Sequence, residues 1–446
     1  MTPESTYPSL PTVGDLRVSR LGPCRVDSPL ADRRERFVED DDRVLVGSRV
    51  AELQPILDGD EDLPAFERAG ARSRLFFDPR RITAGIVSCG GLCPGINNVV
   101  RALVLSLHHA YGVPRILGFR YGFAGLAGDP EVGPPLELTP REVEPIHRRG
   151  GSMLGSSRGP QDVRRMVDRL EELGVGILFA IGGDGTLRGA SALASEIARR
   201  GAEIAVVGVP KTIDNDIRWI ERSFGFATAV DAAQEAIVGA HAEARGAWNG
   251  IGMVKLMGRQ SGFIAAHAAL AVGDVNFCLV PESPFELGPL VEALIARLEI
   301  RRHAVLVVAE GAGQDLMASS GGTDASGNPK LGDIGPFLKL ELSSRLKARR
   351  VAHTIKYIDP SYIVRSLPAS PIDAEYCLML GQHAVHAAMA GHTDLVVGYW
   401  NRYFTHVPIR LAVSERKTLD IEHGEIWQRV LETTGQPSLR ASTSEI

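Results

Sequence analysis

Five short turns between apolar runs hold most of the side chains that could do chemistry. In Val209-Pro210-Lys211-Thr212-Ile213-Asp214-Asn215-Asp216, two carboxylates stand two residues apart in an extended stretch with apolar flanks. Mutual repulsion raises one pKa of such a pair, which suits a general base beside a metal-linked or structural partner. Lys211, one of seven lysines in an arginine-dominated chain, can set an ammonium against phosphate charge. Ala180-Ile181-Gly182-Gly183-Asp184-Gly185-Thr186-Leu187 places two glycines, an acid and Gly-Thr where a strand gives way to a helix. Asp184 is a hard oxygen ligand suited to Mg²⁺. Gly185 leaves room for a bulky phosphate beside it, and Thr186 can cap the helix or touch a nucleotide. An Asp-Gly turn with a capping Thr explains part of this run, but not the leading Gly-Gly.

The remaining turns carry weaker signals. In Ser88-Cys89-Gly90-Gly91-Leu92-Cys93-Pro94-Gly95-Ile96-Asn97, adjacent glycines would let a phosphate approach the backbone. The run is neither a Walker A loop nor G-x-G-x-x-G, and a plain strand-to-helix turn accounts for it equally well. Lys255-Leu256-Met257-Gly258-Arg259-Gln260-Ser261-Gly262 sets Arg259 between glycines, a suitable place for phosphate or hydroxyl recognition. Residues 356–366 gather Lys356, Tyr362 and Arg365 in one stretch of donors. Each of these last two turns also fits a surface charge cluster.

Ligands of parallel sheets collect where strands end and helices begin, so the pattern around the turns decides their use. From Arg81 onward, short β-branched runs (82–88, 116–119, 177–181, 204–209) alternate with helix-like segments (97–109, 187–200, 228–242). A second set follows: strands at 252–256, 277–280 and 304–309, helices at 262–270 and 287–298, then a polar, mobile loop over 311–332. This alternation predicts an α/β protein of two doubly wound Rossmann-like domains with mostly parallel sheets. Residues 1–80 are Pro-rich and acidic in patches and read as an N-terminal extension on the main body, with 44–46 as an isolated strand.

A chain of 446 residues with 44% hydrophobic and 23% charged side chains can bury a large core and is not a disordered sequence. Its net charge of −5 excludes a general basic footprint for nucleic acid or anionic membrane. Five scattered cysteines (Cys24, Cys89, Cys93, Cys278, Cys377) suit neither a disulfide framework nor a zinc site; reduced thiols in a cytoplasmic protein fit better. No run approaches the ~18 apolar residues of a membrane span.

With these turns in this order, the sequence resembles the phosphofructokinase family, above all its longer plant- and trypanosomatid-like ATP-dependent branch. The matching motifs are Gly90-Gly91 to Asn97, Gly182 to Thr186, Pro210 to Asp216, Met257 to Arg259, Ala309-Glu310-Gly311 and Tyr357 to Arg365. The resemblance implies transfer of the ATP γ-phosphoryl to the 1-hydroxyl of fructose 6-phosphate. It implies ATP binding by Gly90, Arg158, Gly159, Gly183, Asp184, Gly185 and Thr186, with Asp184 on Mg²⁺. Asp214 would be the base, with Thr212 and Ile213 beside it and Asp216 in support; Lys211 and Arg259 would serve the moving charge. Met257, Gly258, Arg259 and Glu310 would hold the sugar, and Tyr362 and Arg365 its 6-phosphate.

Two departures stand out. Lys356 falls where an Arg of a neighbouring subunit usually completes the phosphate site, which implies a homodimer or homotetramer, while a second such Arg is replaced by Asn249-Gly250. Phe123 stands where relatives often have Tyr near the adenine. The implied domains are a nucleotide domain (81–225 with about 366–400), a sugar-phosphate domain (226–365 with about 401–438) and a tail (439–446). The nearest rival is a pyrophosphate-dependent enzyme of the same fold: Lys211 is pyrophosphate-like, whereas Gly185 is ATP-like because that branch carries an Asp there. Lipid and NAD kinases share the Gly-Gly-Asp-Gly-Thr turn but lack the other motifs. A silent regulatory subunit would have lost Asp184, Asp214 or Arg259.

Overall fold

The computed structural model describes residues 10–33, 36–59, 62–318, 321–323 and 328–440. Parts of the predicted extension, of the predicted polar loop (319, 320 and 324–327) and of the tail (441–446) lie outside the described residues. The chain divides into two compact units: Met1–Thr212 with Ile217–Phe224 and Pro371–Glu415, and Ile213–Asp216 with Gly225–Ser370 and Arg416–Ile446.

Among the described residues, thirteen strands build the two larger sheets. In chain order they begin with β1 (Arg43–Leu45), β2 (Ala65–Arg68), β3 (Thr83–Ser88), β4 (Arg115–Phe119) and β5 (Leu136–Glu137). Next come β6 (Val175–Gly182), β7 (Ala205–Pro210), β8 (Gly250–Leu256) and β9 (Phe277–Leu279). The last are β10 (His303–Ala309), β11 (Thr354–Ile358), β12 (Leu395–Trp400) and β13 (Tyr403–Pro408).

The first unit holds a nine-stranded sheet of order β1-β2-β13-β12-β7-β6-β3-β4-β5. Its centre, β12-β7-β6-β3-β4, is parallel, and antiparallel strands extend both edges. All eight residues of β6 are buried, as expected of a central strand covered on both faces. Helix Asp184–Arg200 packs with Val163–Glu172 over one face, and Ile96–Leu105 packs with Pro371–Met389 over the other. The predicted helix over 97–109 starts one residue earlier and passes into a π-helical segment, Ser106–Tyr111.

The second unit is a four-stranded, all-parallel sheet of order β9-β10-β8-β11. Leu290, Leu294, Leu338 and Leu342 of helices Leu287–Arg301 and Ile334–Ala348 join Ile251, Met253 and Leu306 in its core. Helices Phe226–Arg245 and Phe263–Val272 pack together beside the sheet. A side chain at Gly252 would collide with the Ala240 carbonyl, so this glycine lets a helix lie directly on β8. Among the described residues, no helix is long and apolar enough to cross a membrane.

Two expectations need correction. The chain does not leave the first unit near residue 401: β12 and β13 form an antiparallel hairpin, and the crossing comes at Arg416. The turn, Asn401-Arg402, has positive φ at both residues (46° and 70°), the backbone of a two-residue I′ hairpin. It lacks the glycine that normally announces such a turn. The strand predicted as isolated at 44–46 is instead β1, an edge strand of the large sheet.

The extension is tied in by a buried ionic network. Glu67 of β2 lies opposite His406 of β13. One carboxylate oxygen accepts from Arg20 at 3.1 Å; the other is 3.1 Å from His392 Nε2 and 3.4 Å from His406 Nδ1. Burial works to raise the Glu67 pKa, and hydrogen bonds from His392 and His406 outweigh it, so the carboxyl sits well below its usual range. A depressed carboxylate contributes stability above its unfolded pKa of about 4.3 and loses it as pH falls. Glu67→Gln should therefore lower stability by about 1.5–3 kcal/mol at pH 7, because the charged acceptor shared by Arg20, His392 and His406 is lost. The difference from the parent should shrink below about pH 4.3, as followed by thermal melts across pH.

Candidate active site

In the first unit, the turns after β3, β6 and β7 come together because these strands are neighbours and end at the same edge. Cys89 N–H donates to the Ile181 carbonyl and Lys211 N–H to the Gly182 carbonyl, both at 3.0 Å. Gly90, at φ +89°, takes a left-handed conformation that favours glycine. Its N–H donates to Ser157 O at 3.0 Å, while Ser156 Oγ donates to Gly90 O at 2.5 Å. Arg158 and Gly159, both exposed, follow directly. Lys211 is buried, and its ammonium donates to Gly91 O at 2.7 Å, linking the turn after β7 to the turn after β3.

The leading Gly-Gly has a physical explanation. A Cβ on Gly182 would collide with the Thr186 side chain, and one on Gly183 would stand 3.3 Å from Lys211 O. Helix Asp184–Arg200 begins directly after Gly183, so Asp184, Gly185 and the buried Thr186 form its first turn. First-turn N–H groups have no acceptor within their own helix and favour anions. A Cβ on Gly185 would meet nothing within 4 Å, so the space beside Asp184 is open. Phe123 is buried, its ring packed on Gly189 of the same helix.

In the second unit, β8 and β10 pair in parallel up to Leu256 and Ala309. The loops that follow are laced together: Glu310 N–H donates to Leu256 O at 2.9 Å, and Gly311 N–H to Gly258 O at 3.1 Å. Gly258 has φ +124°, where a side chain would collide with Ser261 O. This brings Met257, Gly258, Arg259 and Glu310 to one sheet edge, with the segment Ile213–Asp216. Arg259 donates its backbone N–H to the Asp214 carboxylate. Its guanidinium donates to Pro329 O.

Electrostatics single out Asp214. Desolvation, then the negative charges of Asp216 and Glu310, push its pKa well above the ordinary carboxylate range; Arg416 and the Arg259 N–H pull the other way. Desolvation also raises Glu310, against the nearby charges of Lys255, Arg259 and Arg365. Ile213 is buried, and Thr212 ends the first unit one residue earlier.

The 356–366 stretch separates. Lys356 pairs with Glu243 at 3.2 Å, whereas its neighbour Tyr357 meets the start of helix Ile334–Ala348 at Gly335. Arg365 faces Glu310 and lies over the Tyr362 ring at 4.6 Å, with Tyr362 76% exposed. Asn249 serves the backbone, donating to Ala352 O at 2.8 Å. Sequence reasoning missed Arg416, which pairs with Asp216 at 2.7 Å across 200 residues of chain, and Lys255, which bridges Asp333 and Asp359. Only the charged run Ser414-Glu415-Arg416-Lys417 could have drawn attention to the first.

A raised carboxyl makes the folded state bind its proton more tightly than the unfolded chain, so its ionisation costs stability above the unfolded pKa of about 3.9. Asp214→Asn should therefore melt at a higher temperature than the parent at pH 7. The gain should fade towards pH 3, where both side chains are neutral. A lower melting temperature at neutral pH would contradict the desolvated, like-charged setting.

Comparisons with known proteins agree with this geometry. The family model for phosphofructokinase matches residues 83–388. The ATP-dependent 6-phosphofructokinase of Amycolatopsis methanolica is 48% identical over 441 residues, 95% of each chain. That of Trypanosoma brucei brucei is 46% identical over 430 residues, covering 95% of this chain and 88% of its own. Among solved structures, the pyrophosphate-dependent phosphofructokinase of Marinobacter aquaeolei superposes with a TM-score of 0.66, over 81% of this chain and 92% of that one. At 20% identity that likeness speaks for the fold alone. With its strand-end turns assembled as described and the family match running from residue 83 to 388, this chain belongs to the phosphofructokinase family.

Proposed function

We propose that this chain is an ATP-dependent 6-phosphofructokinase, transferring the γ-phosphoryl of ATP to the 1-hydroxyl of fructose 6-phosphate to give fructose 1,6-bisphosphate and ADP. The observation that carries the choice of donor is the empty space at Gly185, beside Asp184 in the first turn of a helix. The names of relatives covering 95% of the chain support the same reading. Gly90, Arg158, Gly159 and Gly183 to Thr186 would contact the nucleotide. A single carboxylate, with open space at the next residue, Gly185, for phosphate oxygens, fits a hard dication, so Asp184 would hold Mg²⁺. Bound there, Mg²⁺ would neutralise phosphate charge.

The chain's own residues supply positioning and charge, which phosphoryl transfer requires more than covalent chemistry. Asp214 takes the proton of the 1-hydroxyl as that oxygen bonds to the γ-phosphorus and the bond to the β-phosphate oxygen breaks. A carboxyl raised towards neutrality is a better base than an ordinary one. Arg259 and Lys211 would place positive charge on the transferring group. Thr212, Ile213, Met257, Gly258 and Glu310 would hold the sugar, and Tyr362 and Arg365 its 6-phosphate. Lys356 would serve a neighbouring copy in a homodimer or homotetramer.

Pyrophosphate is the competing donor, favoured by Lys211. Yet the charge of Lys211 serves either donor, whereas the open space at Gly185 suits the bulkier ATP. Gly185→Asp would add a carboxylate facing a phosphate at ~4 Å, a repulsion of about 4 kcal/mol at an effective dielectric near 20. ATP-dependent kcat/KM should fall by roughly a thousandfold, at ~1.4 kcal/mol per tenfold. Steady-state assays of parent and variant with ATP and with pyrophosphate check this; a parent that prefers pyrophosphate would overturn the assignment of the donor. In the same assay, Asp214→Asn should lower kcat by about 10²–10⁴ with little change in KM.

A further inference from the structure

The mechanism leaves Arg416 unused. Arg416 opens the C-terminal segment of the second unit. Its guanidinium sits 2.7 Å from Asp216, whose side chain is 8% exposed. Lys417 N–H donates to Asp216 O at 2.9 Å, so the segment grips both the side chain and the backbone of this residue. The grip continues outward. Leu419 N–H donates to Glu282 at 2.8 Å, the same carboxylate oxygen that receives the N–H of Gly262, the last residue of the Lys255–Gly262 turn, at 3.0 Å. The Lys417 ammonium lies over the Phe263 ring at 5.2 Å and near His267. A strand of backbone remote in sequence is thus fastened to both loops that carry the proposed base and Arg259.

We propose that Arg416 is a positioning residue for phosphoryl transfer: by pairing with Asp216 it neutralises the charge beside Asp214 and fixes the Ile213–Asp216 backbone, so that Asp214 can take the substrate proton. The inference rests on the reading of Asp214 as the base. Two carboxylates two residues apart cannot both ionise readily in a desolvated place. Foremost among the groups acting on Asp214 are Asp216 and Glu310, which oppose its ionisation, and Arg416 and the Arg259 N–H, which favour it. Among them Arg416 bonds directly to the competing carboxylate. Without it, Asp214 would lose the guanidinium that favours its ionisation and offsets the neighbouring Asp216, and would hold its proton to higher pH.

The test is the pH profile of kcat/KM for fructose 6-phosphate, with ATP, in the full-length protein carrying Arg416→Gln, Arg416→Lys, Asp216→Asn and the double change Arg416→Gln/Asp216→Asn. Arg416→Gln should move the acid limb up by about one pH unit, making the loss about tenfold greater at the acid end than on the alkaline plateau. Arg416→Lys should restore part of the shift, since an ammonium keeps the charge without the planar fork. Asp216→Asn alone should move the limb down, and in the double variant it should reverse the effect of Arg416→Gln. A uniform loss at every pH, or a shift that Asp216→Asn does not reverse, would overturn the proposal. An Asp214→Asn control separates the two ideas: if it retained parent activity, the base would be misassigned. The pairing itself is then read in melting temperature against pH. Arg416→Gln should destabilise more at pH 8 than at pH 5, and Asp216→Asn should cancel that excess. An excess absent or uncancelled would refute the charge role of Arg416 on its own.

Discussion

The site is organised by one constraint: three carboxyl groups, Asp214, Asp216 and Glu310, have to be kept close together away from water. Desolvation and like charge both work against ionising them, and a protein that needs one of them ionised has to supply counter-charges of fixed position. The second unit does so from three directions. Arg259 offers a backbone N–H from the end of β8, Arg416 reaches Asp216 from the C-terminal segment, and Arg365 faces Glu310 from the stretch after β11. Each comes from a different part of the chain. The fold around them can be understood as the means of bringing these donors to one edge.

Parallel strands make that possible. Neighbouring strands of one direction end side by side, so loops far apart in sequence emerge together, each followed by a helix that leaves backbone N–H groups turned outward. In the first unit this gathers the turns after β3, β6 and β7, tied by Cys89, Gly182 and the buried Lys211. In the second it gathers those after β8 and β10. Glycine appears where side chains would obstruct: below Thr186 at Gly182, and at Gly258 against Ser261 O. At Gly185 nothing obstructs, and there the absence of a side chain leaves room for a ligand.

The N-terminal extension has a structural part in this arrangement. It contributes β1 and β2 to the nine-stranded sheet, and Glu67 anchors it against two histidines and Arg20. The same electrostatic problem, a charged carboxylate out of water, is solved here in the opposite sense. Hydrogen bonds from His392 and His406 outweigh burial and hold Glu67 ionised, whereas at Asp214 burial and like charge outweigh the groups that favour ionisation. The five cysteines are free thiols, four of them buried; burial pushes Cys89 and Cys278 up to about 12, so neither is a ready nucleophile.

What could be read from the sequence was local. The alternation of apolar runs with helical segments, the glycines at strand ends, and the acids at 184, 214 and 216 all depend on residues within a few positions of one another. Such patterns are enough to predict two parallel α/β units and the turns that carry the chemistry. The Asn401-Arg402 hairpin escaped because its two positive φ angles are imposed by strand pairing and not announced by a glycine. The separation of Lys356 from Arg365 was equally hidden, because Lys356 pairs with Glu243 of a remote helix whereas Arg365 faces Glu310. The partners of the charged groups lay furthest out of reach: Arg416 is 200 residues from Asp216, and His406 is 339 from Glu67. An ion pair leaves no periodic trace, since either member looks like any surface charge until the sheet order brings them together. Sequence alone therefore determined which chemical groups the chain would present and in which turns. Tertiary structure decided which of them are desolvated and which are neutralised, because both depend on what the packed chain places within a few ångströms.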